Sequence, residues 1–113
     1  MLNPEKKATW LEALRSGRYS QAEGILFQHH TGGYCCIGVY LKEVCKLEEK
    51  TDGLWTCFPE LTTIYKGLKA PDEPWLAHME TEGVPREVAR HLAGMNDAGC
   101  SFAEIADYIE ANL

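Results

Sequence analysis

Apolar residues recur at helical spacing in four stretches of this chain, and the polar residues between them supply the stops. Trp10, Leu11 and Leu14 follow Asn3-Pro4 on one stripe. Asn is a strong N-cap, and Pro fits the first helical position because the N–H it lacks would be unpaired there anyway. With Gly17 as the stop, the pattern predicts a helix from Pro4 to Ser16. Ile37, Tyr40, Leu41 and Val44 stand at i, i+3, i+4 and i+7, the spacing of one buried helix face, and predict a helix from Cys35 to Leu47. Gly38 lies inside it and costs about 1 kcal/mol relative to Ala, which marks a place where another backbone packs closely. Pro85 opens a third helix, with Val88, Leu92 and Met95 on one face and Asn96-Asp97-Ala98-Gly99 as its end. Ser101-Phe102-Ala103-Glu104 is a capping box, in which the Ser side chain accepts a backbone N–H and the Glu reaches back. The last helix follows, with Phe102, Ile105, Ala106, Ile109 and Leu113 on one face.

The remaining segments read as strands, turns and loops. Ile25-Leu26-Phe27, running on into Gln28-His29-His30, has the look of a short strand closed by Thr31-Gly32-Gly33, a tight-turn signal. Leu54-Trp55-Thr56-Cys57-Phe58 alternates and stops at Pro59, which predicts a second short strand. Residues 59–83 carry the weakest pattern. Glu60 to Gly67 can form one or two helical turns, Pro71 and Pro74 mark a loop, and Trp75-Leu76 anchors that loop to the core. The expected fold is α+β and helix-rich: a single domain over residues 1–113, with about four helices and a small two- or three-stranded antiparallel sheet.

Composition narrows the class. The chain has 113 residues, of which 45% are hydrophobic and 25% charged, values of an ordinary globular domain with one core. No apolar run approaches the ~20 residues of a membrane span, and the first residues lack the apolar centre of a secretory signal. A membrane role is therefore not expected. The five cysteines (Cys35, Cys36, Cys45, Cys57, Cys100) are odd in number and two are adjacent. That count does not suit a secreted disulfide framework, so reduced thiols and a cytoplasmic setting are expected. The net charge of −6 is uneven: residues 1–46 hold six basic against four acidic residues, and residues 47–113 hold five basic against thirteen acidic ones. So acidic a second half disfavours nucleic-acid binding, which needs Lys and Arg for phosphate contacts. It suits a basic protein partner, or solubility alone.

Four clusters can carry chemistry. His29-His30 with Cys35-Cys36 has the residue types of a metal site, but adjacent cysteines at a helix start point about 100° apart, and no C-x-x-C pair exists. No metal or cofactor is expected. Cys35 or Cys36 at a helix N-terminus can instead be an activated nucleophile with a histidine as base, or a packing thiol. Arg15-Ser16-Gly17-Arg18-Tyr19-Ser20-Gln21 offers two guanidinium forks, hydroxyls, an amide and a ring, which suits a small anion. Tyr34 is a further ring that can stack on such a ligand; the alternative is a solvated turn anchored by its tyrosine. Asn96-Asp97, between two helices, can line a site or simply end a helix. The candidate binding residues are thus Arg15, Ser16, Arg18, Tyr19, Gln21, Tyr34, Cys36, Asn96 and Asp97. P-loop, dinucleotide, H-E-x-x-H and G-x-S-x-G motifs are absent from the sequence.

Three of these segments, in order, resemble one family. Residues 10–21 (W-L-E-A-L-R-S-G-R-Y-S-Q), 34–39 (Y-C-C-I-G-V) and 96–106 (N-D-A-G-C-S-F-A-E-I-A) are similar to a pattern in small uncharacterised proteins of tailed bacteriophages and prophages. The chain departs from it at Ala22-Glu23-Gly24, where the family often carries a basic Gly-Lys-Gly, and at Met95, where Leu is usual. The resemblance implies a phage accessory protein acting in the cytoplasm of an infected bacterium. By analogy with other small phage proteins, the expected role is counter-defence by binding, with a host protein or a nucleotide-like anionic signal as partner and a homo-oligomer as one arrangement. A small cysteine-dependent enzyme using Cys36 or Cys35 is the alternative, and a structural or regulatory phage component is a third.

Overall fold

The computed structural model describes residues 2–28, 31–49, 58, 61 and 73–113. Among these, five helices pack around one core beside a two-stranded antiparallel sheet. Helix α1 spans Pro4–Arg15. Strands β1 (Phe27–Gln28) and β2 (Gly33–Tyr34) form a hairpin in which Phe27 faces Tyr34 and Gln28 faces Gly33. Helix α2 begins as Cys36–Val39 and continues as a π-helical turn over Tyr40–Val44. Helices α3 (Glu73–Thr81), α4 (Arg86–Asp97) and α5 (Phe102–Asn112) complete the order. None of these helices is long and apolar enough to cross a membrane.

The helix ends follow local chemistry. Asn3 Oδ1 accepts the backbone N–H groups of Glu5 (2.8 Å) and Lys6 (3.2 Å), two of the donors a helix start leaves unpaired. The capping box forms as the spacing requires: Glu104 N donates to Ser101 Oγ at 3.2 Å, and Ser101 N donates to Glu104 Oε1 at 3.0 Å. The α5 face carries Phe102, Ile105, Ala106 and Ile109 into the core. Helix α1 lies against it, with Lys7 Nζ donating to the Glu110 carbonyl at 3.2 Å.

Helix α2 is the centre of the molecule. Cys36, Ile37, Val39, Tyr40 and Leu41 are all fully buried. Trp10 of α1 crosses its start, with Nε1 donating to the Cys36 carbonyl at 3.0 Å and its ring edge-on to Tyr40 at 4.7 Å between centroids. Gly38 is where the loop before β1 passes over the helix: a Cβ at that position would run into the Leu26 carbonyl. That same carbonyl accepts Cys35 N at 3.1 Å, so the close approach is held by a hydrogen bond.

The architecture agrees with the expected class, and three local expectations are corrected. The stretch around Pro71 and Pro74 was expected to be a loop, yet Glu73–Thr81 is helix, with Leu76 and Met79 fully buried. Pro74 falls in the first turn, where a missing N–H costs nothing. On α4 the buried face is Ala89, Leu92 and Asn96, with Val88 and Met95 only packed at its margin. The face is rotated because a polar side chain, Asn96, occupies a core position that hydrophobic periodicity assigns elsewhere. The strand lies at Phe27–Gln28 rather than starting at Ile25. The strand expected over Leu54–Phe58 and the helical turns expected over Glu60–Gly67 fall outside the described residues, apart from Phe58 and Leu61, which are both buried.

Candidate functional site

The three motif segments meet at the C-terminal end of α4. Asn96 is fully buried there and its amide is fully used. Oδ1 accepts Gln21 Nε2 at 2.8 Å and the Cys36 backbone N–H at 3.3 Å, while Nδ2 donates to the Ala22 carbonyl at 2.7 Å. The site demands an acceptor and a donor on separate atoms of one short side chain, which an amide supplies. Gln21 Nε2 spends its second hydrogen on the Cys100 carbonyl at 2.7 Å. Asp97 Oδ1 accepts Gly24 N at 2.7 Å. The loop of residues 21–24, the start of α2 and the end of α4 are thus tied by one network.

The two adjacent cysteines divide into separate roles. Cys35 Sγ accepts Gly38 N at 3.4 Å as the cap of α2, and Cys36 Sγ donates to the Leu92 carbonyl at 3.5 Å. Cys36 is fully buried, and loss of solvation pushes its thiol well above its ordinary range. The helix start was expected to lower it; the low-dielectric surroundings win, because burial strips a thiolate there of its hydration. The described histidines stand elsewhere, His78 beside Cys45 and His91 against the Tyr108 ring. His29 and His30 lie outside the described residues.

The basic and aromatic candidates face carboxylates of the chain itself. Arg15 pairs with Asp107 at 2.8 Å and Glu110 at 3.3 Å on α5. Arg18 pairs with Glu12 at 2.8 Å and Glu43 at 3.1 Å. Ser16 Oγ donates to the Ala13 carbonyl at 2.7 Å and accepts Arg18 N at 3.1 Å, closing the turn after α1. The Tyr19 hydroxyl donates to Glu43 at 2.6 Å and that of Tyr34 to Glu49 at 2.8 Å. The nine candidate residues therefore fall into two groups. Gln21, Cys36, Asn96 and Asp97 come together in one network, which Tyr34 adjoins through its carbonyl, an acceptor for Ala22 N at 2.9 Å, whereas Arg15, Ser16, Arg18 and Tyr19 do not join it.

Beside that network is a half-open cleft of about 90 Å³. Ile25, Leu26, Ile37 and Ala93 give it apolar walls, Trp75 of α3 gives it a ring, and Asp97 gives it a carboxylate. Drug-sized ligands occupy roughly 300–1,000 Å³. This cleft, as the described residues form it, has room for a fragment the size of one side chain.

A second constellation lies at the other end of α2 and was not foreseen. Cys45 Sγ stands 3.3 Å from His78 Nε2 and 3.8 Å from Glu82 Oε1. Glu82 Oε1 also accepts the Tyr40 hydroxyl at 2.7 Å and Lys6 Nζ at 2.9 Å. Burial raises the Cys45 thiol to about 12, aided by the neighbouring Glu82 carboxylate. Burial also lowers His78 below 6.5. On Glu82 burial works upward, but the hydrogen bonds from Lys6 and Tyr40 outweigh it and hold the carboxyl below 4.5. The sequence signal was His78-x-x-x-Glu82, an i, i+4 pair that shares a face once α3 is recognised as a helix.

No curated protein and no solved structure matches this chain. A family model described as a domain of unknown function, DUF8296, matches residues 2–113, so the chain belongs to that family.

Proposed function

We propose that this protein is a phage accessory protein that counters host defence by binding a host protein in the bacterial cytoplasm. The phage setting rests on the three-segment resemblance. The observation that carries the binding mode is the cleft beside Asn96. Its walls are apolar and aromatic, its rim holds Asp97, and its volume is about 90 Å³. That combination suits a Lys or Arg side chain of a partner, with the stem on Ile25 and Trp75 and the charged head toward Asp97. The acidic balance of the chain, −6 overall, favours encounter with a basic surface.

A host protein is favoured over a nucleotide signal on two grounds. The cleft is several-fold smaller than a nucleotide-sized pocket, which is on the order of hundreds of Å³. The two arginines of the first motif already hold carboxylates. A cysteine-dependent enzyme is disfavoured by the burial of both Cys35 and Cys36.

The test is retention of host proteins on the immobilised chain, compared with A93W and I25W, which fill the cleft. The expected result is a host protein held by the parent chain and lost at least about tenfold in both variants, with their circular dichroism unchanged; a loss of ~1.4 kcal/mol in binding is tenfold. Retention that ignores both substitutions overturns the cleft as the docking point. A rise in melting temperature with cyclic or ADP-ribose nucleotides overturns the choice of a host protein.

A further inference from the structure

We propose that Cys45, His78 and Glu82 form a zinc-binding site at the junction of α2 and α3, distinct from the cleft at Asn96. Among the described residues this is the one group of three Cys, His or carboxylate side chains whose donor atoms converge, all within 4.8 Å of one another. Sulfur, imidazole nitrogen and carboxylate oxygen are the donors zinc takes, with Zn–S about 2.3 Å and Zn–N and Zn–O about 2.0–2.2 Å. Two such ligands on a tetrahedron stand roughly 3.6 Å apart. The observed separations from Cys45 Sγ, 3.3 Å to His78 Nε2 and 3.8 Å to Glu82 Oε1, bracket that value. Three protein donors leave the fourth position for water or a substrate, the arrangement of zinc sites that act on ligands.

The backbone supports the placement independently. The turn before Cys45 is π-helical, with Cys45 N donating to the Tyr40 carbonyl at 3.1 Å, five residues back. Such turns re-aim the following side chain and recur at functional sites. The next residue, Lys46, has φ of 60°, a left-handed conformation that non-glycine residues adopt at a cost. Cys45 is therefore held between two departures from regular helix. Around the donors, Tyr40 and Lys6 both hydrogen-bond Glu82 Oε1 and fix the carboxylate, and a zinc ion bound at this oxygen displaces one of the two.

Binding releases one proton. Zinc displaces the hydrogen of the Cys45 thiol, forming the Zn–S bond, and the proton passes to solvent. The charged and titratable groups facing Cys45 are Glu82 and His78 from α3 and its end, Lys6 from α1 and Tyr40 from α2.

Cobalt(II) is the direct probe, because its thiolate charge-transfer band and strong visible bands report a four-coordinate sulfur site. The full chain is titrated with cobalt and then with zinc. One equivalent of cobalt should bind with both signatures and be displaced by zinc. C45S should abolish the charge-transfer band, E82Q should weaken cobalt and zinc at least about tenfold, and C100S should leave both unchanged. Zinc at about 100 times its Kd should raise Tm by roughly 5–15 °C. A weak six-coordinate spectrum, a charge-transfer band that survives C45S, or unchanged affinity in E82Q would overturn the proposal. E82Q keeps the shape of the side chain, so it decides the matter even if C45S fails to fold.

Discussion

Gly38 shows how one residue decides a fold locally. By helix propensity alone, Gly38→Ala should stabilise α2 by about 1 kcal/mol. The Leu26 carbonyl occupies the space a methyl would need, and that carbonyl is itself fixed by Cys35 N. Backbone must therefore move, and overpacking of this kind costs about 1–3 kcal/mol or more. The steric term wins, so G38A should unfold at lower urea concentration than the parent, by about 1–3 kcal/mol in equilibrium unfolding; an equal or higher midpoint would refute the close approach. The sequence did signal this position, because glycine in a helical stretch needs a reason. It did not signal Asn96, since nothing in a row of letters separates a buried amide from a helix-ending one.

At the scale of elements, legibility followed the local rules. Helices α1 and α5 were readable from caps and periodicity, because Asn3, Pro4, Ser101 and Glu104 all act within one turn of themselves. Ser101→Ala should cost about 0.5–2 kcal/mol of stability, since the Glu104 N–H loses its partner and the reciprocal box is broken; a thermal melt superimposable on the parent's would count against the box. Helix α3 was not readable because its cue, Pro74 followed by Trp75 and Leu76, is equally the cue of a loop. The π turn after Val39 was hidden for a similar reason. The apolar spacing of Ile37, Tyr40, Leu41 and Val44 runs straight through it. The candidate site divides the same way. Gln21, Cys36, Asn96 and Asp97 were named from sequence and do converge, whereas Cys45, His78 and Glu82 needed the fold to close a separation of 37 positions between Cys45 and Glu82.

For the whole molecule, the titrating groups set a window of stability. Glu43, Glu49 and Glu82 have folded carboxyls held below 4.5: Glu43 by the Tyr19 hydroxyl and Arg18, Glu49 by Tyr34 and Lys42 against its burial, and Glu82 by Lys6 and Tyr40 against its burial. Their contribution is complete above 4.5 and is lost as pH falls through the folded values. His78 is lowered from 6.5 by burial, so the unfolded chain takes up its proton first and stability begins to fall below about that pH. On the alkaline side, burial raises Cys45 from 9.0 to about 12 and Tyr19 from 10.0 to about 12. The unfolded chain loses those protons first, so stability is full below about pH 9 and declines above it. Tm measured from about pH 4 to 11 should be flat between roughly pH 7 and 8.5 and fall on both sides. A Tm that climbs below pH 6 would contradict the sign for His78.

The Asn96 network also bears on how the native state opens. Its partners lie at residues 21–22, 36 and 100, so no one segment can detach without leaving a buried donor or acceptor bare. An unpaired buried group costs about 1–3 kcal/mol, which makes partial opening at this corner expensive compared with fraying at a helix end. The corner should behave as a single cooperative unit of exchange. The Cys36 amide, held by Asn96 Oδ1, is then released only when the whole domain unfolds, and its exchange rate is a reporter of global rather than local stability.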